Sequence, residues 1–117
     1  MLKLAVRHAD IWSWYVEERS DLTEFGPRLS AILAACDEAG RDPATIGRSA
    51  GVVVEPTPVT GAADVLGAPI RGTSEEIADA FRAFAVAGFT QLELLLWPPT
   101  LAALEAMAPV MELLDGD

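Results

Sequence analysis

An α/β fold built on a mainly parallel sheet is what this 117-residue sequence predicts. Helical periodicities alternate with short apolar runs along the whole chain, the pattern of βαβ units. One run, Gly51-Val52-Val53-Val54, is continuously apolar, as in strands covered on both faces. The helical patterns between runs are long enough for the right-handed crossovers that parallel strands require.

The elements follow in order. Residues 1–9 place Leu2, Ala5, Val6 and Ala9 at i, i+3, i+4, i+7, a short amphipathic helix closed by Asp10. Ile11-Trp12-Ser13-Trp14-Tyr15 is aromatic and β-branched and reads as a strand. Asp21 with Glu24 three residues on resembles a capping box, and Leu29, Ile32, Leu33 and Cys36 trace one face, so a helix covers 22–39. Pro27 blurs its start, because a proline beyond the first turn removes a donor and clashes with the turn before. Gly40 caps that helix, Pro43 marks a tight turn, and a strand over 51–55 follows. Residues 56–72, with three prolines and three glycines and no periodicity, read as a long loop. Thr73-Ser74-Glu75-Glu76 is a capping box opening a helix over 74–87, with Gly88 as its end. A strand over 91–97 puts Leu92, Leu94 and Leu96 on one face and Gln91, Glu93, Leu95 and Trp97 on the other. Pro98-Pro99 closes it, and a helix over 100–114, kinked at Pro109, ends the chain. About three parallel strands thus alternate with four helices in a single domain, 1–117.

Composition narrows the function. Eighteen acidic against eight basic side chains give a net charge of −10, and Lys3 is the only lysine, so a nucleic-acid or anionic-membrane surface is not expected. The single cysteine, Cys36, forms no intramolecular disulfide, and no apolar run is long enough for a membrane span or signal core. A cytoplasmic protein is expected. Three strands leave two open edges and an apolar face, which calls for a homo-oligomer or a partner to cover them.

Four segments in this order, HADIWSW, CDEAGRDPATIGRS, GTSEEIADAFRAFAVAGFTQLELLLWPP and TLAALEAMAPVMELL, resemble the C-terminal third of luciferase-like monooxygenases. The likeness spans the chain apart from 56–72; it departs at Pro27, where that family more often carries Glu, Ala or Arg, and at Gly47, which loosens the turn after Ile46. The resemblance implies part of a (β/α)8 TIM-type barrel with FMN or an 8-hydroxy-5-deazaflavin coenzyme at the C-terminal strand ends. It implies oxidoreductase chemistry run by the cofactor. A whole barrel takes roughly 250 residues, so this chain would complete one rather than form it. The alternative is a non-catalytic truncated relative that self-associates or serves as a partner subunit.

Trp12, Trp14 and Trp97 fall at or near C-terminal strand ends, where such folds build their sites, and either wall a flat isoalloxazine ring or pack as core. Glu93, on the face of Trp97, would point into the lumen and must be paired, hydrogen-bonded or solvated there. His8, the one histidine, is an acid–base candidate beside Asp10 or a helix-end group stabilised by the dipole; no second histidine or cysteine pair gives it metal-ligand spacing. Gly72-Thr73-Ser74 could cradle an anion at a helix start, although Glu75 and Glu76 already place negative charge there. Cys36 lies on an apolar stripe and reads as packing rather than as a nucleophile.

Overall fold

The computed structural model describes residues 10–17, 19–56 and 68–116. The helix expected over 1–9, His8 within it, and most of the segment 56–72 lie outside them. In chain order come β1 (Ile11–Tyr15), α1 (Leu22–Ala39), a 3-10 turn (Pro43–Thr45), β2 (Gly47–Glu55), β3 (Ile70–Arg71), α2 (Ser74–Ala87), β4 (Gln91–Leu96), α3 (Leu101–Ala106) and α4 (Ala108–Asp115). Among these residues no helix is long and apolar enough to cross a membrane.

All strand pairs are parallel, and β2 is central. Its even-numbered residues bond β4, as when Trp97 N donates to the Val54 carbonyl at 2.9 Å. Its odd-numbered residues bond the opposite edge, where β1 pairs along Gly47–Gly51 and β3 pairs at Val54 and Glu55. Between β1 and β3 the Ser20 hydroxyl, 2 % exposed, accepts the Val53 amide at 2.9 Å and fills the gap in the ladder. A buried amide without a partner there would cost about 1–3 kcal/mol.

The sheet differs from expectation in three places. There are four strands, because Ile70–Arg71, inside the segment read as loop, pairs with β2. Such a two-residue strand carries no periodicity of its own. β2 begins at Gly47 rather than Gly51: the Gly47 amide, expected to loosen a turn, donates to the Asp10 carbonyl at 2.8 Å and starts the ladder. The closing helix is two helices that meet at Met107, with Pro109 in the first turn of the second, where its missing amide is tolerated.

One face of the sheet carries every described helix. Trp12, Ala50, Val52 and Val54 are buried there against Phe25, Leu29, Ile32 and Cys36 of α1, Ile77, Phe81 and Phe84 of α2, and Met107 and Val110 at the C-terminal helices. Leu92, Leu94 and Leu96 of β4 pack on the same cluster. At its centre Phe25, Phe84 and Phe89 meet edge-to-face, with ring centroids 5.4, 6.1 and 5.5 Å apart. Arg48 lies under the same layer, its guanidinium donating to the Gly88 carbonyl at 2.5 Å and the Pro43 carbonyl at 2.7 Å, so it ties β2 to the end of α2.

Local signals explain the helix ends. Asp21 caps α1 by accepting the Thr23 amide, and Gly40 ends it in the left-handed region at φ 69°, which side chains with a Cβ rarely adopt. Pro27 sits inside α1 without stopping it, because Phe25 and Leu29 on either side are buried and hold the turn in place. Thr73 and Glu76 form the reciprocal capping box at the start of α2.

Candidate functional site

The parallel register sorts the other face of the sheet into rows. Ile11 stands beside Gly47; then come Ser13, Ser49 and Gln91; then Tyr15, Gly51 and Glu93; then Val53 and Leu95. Glu55 and Arg71 form the last row, at the C-terminal end of β2. Trp97, one residue past β4, falls by alternation on this face, and its peptide bond to Pro98 is cis. Ile11, Tyr15 and Leu95 are 52 %, 59 % and 54 % exposed, so this face presents apolar side chains to solvent.

The third row is the chemical centre. Gly51 has no side chain, and the Tyr15 ring lies across it: a Cβ there would overlap the ring, meeting Cε1 at 2.9 Å and Cγ at 3.2 Å. The ring therefore spans the central strand toward β4, where hydrogen bonding to Glu93, reinforced by the carboxylate's charge, raises the phenol above its ordinary pKa of 10.0. From the row before, the Ser49 hydroxyl approaches Glu93 Oε1 at 3.5 Å, the outer limit of a hydrogen bond. Of the three states expected for Glu93, the one found is partial exposure to solvent, with the Ser49 hydroxyl at the outer limit of a hydrogen bond. A groove of about 380 Å³ runs over this row and the next, lined by Tyr15, Val16, Gly51, Val53, Glu93 and Leu95 among others.

Glu55 is the second charged group at this end and is 3 % exposed. Arg71, half exposed, reaches its Oε2 at 3.2 Å. A buried carboxylate needs such a partner, and β3 supplies it.

The three tryptophans do not converge. Trp12 is buried in the helix-covered core, and Trp14 packs against that core on the same face. Its indole Nε1 donates to Glu24 Oε2 at 3.2 Å, and Arg28 lies 4.0 Å from its ring centroid, a cation–π contact. Only Trp97 falls on the face of Glu93. Glu24, expected in a capping box with Asp21, instead accepts the Glu17 and Arg19 amides at 2.8 and 2.9 Å and fastens the turn after β1. Arg19, hydrogen-bonded to Asp21, holds that carboxyl below its usual range. At Gly72-Thr73-Ser74 the Thr73 and Glu76 amides are already engaged by the capping box, which leaves fewer donors for an anion. Cys36 is free and fully buried. Among the described residues no three His, Cys, Asp or Glu side chains come together as a metal site.

The residues that the sequence reading missed, Tyr15, Gly51 and Glu55, carried two signals. Strand alternation through Ile11, Ser13 and Tyr15 already separates the tyrosine from the tryptophans. Glu55 is the one charge ending an apolar run, at the end of the strand where α/β sites form.

The chain matches no family model, and no curated protein shows significant similarity to it.

Proposed function

We propose that this chain is a wall of a luciferase-like, flavin-dependent oxidoreductase barrel, with the face of Tyr15 and Glu93 turned to the lumen. The observation that carries the reading is the placement of the helices. Strands β1, β2 and β4 are parallel neighbours, with the two-residue β3 returning to the β1 edge of β2, and the described helices pack on one face. An open doubly wound sheet covers both faces with helices, whereas a barrel wall leaves the inner face to the lumen. The ordered motif resemblance points the same way.

The described residues suit one half of a flavin. Tyr15 and Leu95, both more than half exposed, offer apolar surface for a flat ring on either side of the buried Val53, with Trp97 beyond. They do not suit the phosphate: the charged groups at this end are Glu93, Glu55 and Arg71, and Arg71 already faces Glu55. A phosphate anchor would have to come from other residues.

The test is a titration of the chain with FMN and with the deazaflavin coenzyme, followed by visible absorbance and tryptophan fluorescence. Saturable binding whose quenching falls in Trp97→Phe supports the reading. Absence of binding withdraws the enzyme assignment for this chain. The second reading, a self-associating α/β module, is favoured by the solvent-facing Ile11, Tyr15 and Leu95 on one side of the sheet. It predicts a dimer or larger species in sedimentation at tens of micromolar, and a clean monomer there contradicts it.

A further inference from the structure

We propose that the groove over Tyr15, Gly51 and Glu93 is a binding site for a small ligand with a flat or branched apolar body and a protonated amine. The site does not depend on whether a flavin binds.

Size and lining set the body of the ligand. At about 380 Å³ the groove lies in the range that small molecules occupy. Val16, Val53 and Leu95 give it apolar walls, and Glu93 is the one charged residue among the described residues that line it. Charge sets the head group. Among the described residues the Ser49 hydroxyl approaches Glu93 at 3.5 Å, the Tyr15 ring lies over Gly51 in the same row, and no cation pairs with the carboxylate. A carboxylate half-withdrawn from water in apolar surroundings gains most from a cationic donor, because a charge-assisted hydrogen bond outweighs a neutral one. An anionic head group placed against Glu93 would meet repulsion from that carboxylate.

Tyr15 adds selectivity for a cation. Its ring is laid across Gly51 beside the carboxylate, so an ammonium seated on Glu93 also lies near an aromatic ring. Attraction to that ring favours a cation over a neutral donor of the same shape. Gly51 is what permits the arrangement, since any side chain there would lift the ring away from Glu93.

The experiment uses three probes of one shape, benzylamine, benzyl alcohol and benzoate, titrated calorimetrically into the whole chain at neutral pH. The amine is expected to bind at least about tenfold more tightly than the alcohol, with benzoate weakest. Glu93→Gln should bring amine and alcohol to equal affinity, and Glu93→Asp, which withdraws the carboxylate by one methylene, should leave an intermediate preference. The single tyrosine gives an independent readout in the unmodified chain, because amine binding should perturb Tyr15 absorbance and the alcohol should do so less. Equal affinities for amine and alcohol, no binding of either, or an amine preference that survives Glu93→Gln overturns the proposal. Flavin binding with no amine preference overturns this site alone, and amine preference without flavin binding leaves it standing while the cofactor reading falls.

Discussion

A tyrosine whose ring lies over a glycine, in the same row as a carboxylate on the far strand, has a measurable signature. Because the protonated phenol is favoured in the folded chain, Tyr15 should titrate above 10.0, and the stability it contributes is present below the unfolded pKa and lost as pH rises through the folded one. As this is the only tyrosine, ultraviolet titration reads it directly. The midpoint should fall toward the ordinary value in Glu93→Gln, and also in Gly51→Ala, where the new methyl displaces the ring. An unchanged midpoint in both would show that the phenol does not engage Glu93. Asp21 behaves with the opposite sign. Its carboxyl is lowered by Arg19 and it caps α1, so its contribution is present above the unfolded pKa of about 3.9 and fades as pH falls through the lower folded value. Asp21→Ala should cost about 1 kcal/mol near neutrality in denaturant unfolding, with the gap narrowing in strong acid. The Arg19 pairing itself is exposed and adds little. Glu93 was legible in the sequence because alternation alone sets its face; its partners were not, because they lie on β1 and β2, and register between strands is a tertiary fact.

Elements were legible where capping and periodicity agree. α2 lies where Thr73, Glu76 and the apolar stripe place it, and Thr73→Ala should lower stability by about 1 kcal/mol through loss of the cap, read as a fall in Tm. They were less legible where packing overrides local preference. Pro27 marks a weak start by its own chemistry, but buried Phe25 and Leu29 carry α1 through it. The strain remains, so Pro27→Ala should stabilise the chain by roughly 1 kcal/mol or more, seen as a Tm several degrees higher. A lower Tm would mean that proline's limit on the unfolded chain outweighs its cost in the helix. Gly47, Arg48, Ser49 and Ala50 carry little strand propensity, and they extend β2 only because partners on both edges take their hydrogen bonds. β3 is shorter still, and its pairing exists only in the assembled sheet.

For the molecule as a whole, the decisive feature is asymmetry between the two faces of one sheet. The helical face is closed by the phenylalanine trio and the aliphatic stripe, while the other presents a row of groups among whose described members over the groove Glu93 alone is charged. The continuous apolar run of β2 anticipated its burial on both faces, and Ser49–Glu55 are buried throughout, but it did not anticipate that the described helices would lie on one face only; the splitting of the tryptophans between the two sides could not be read from strand ends alone. The most direct test of the proposed function is a methyl-resolved NMR titration of the chain with FMN. The methyls of Val53 and Leu95, with Ile11 at the edge, should shift as FMN is added, while Ile32, Ile77 and Val110 in the helical core should not. Shifts confined to the core methyls, or none at saturating FMN, would contradict it.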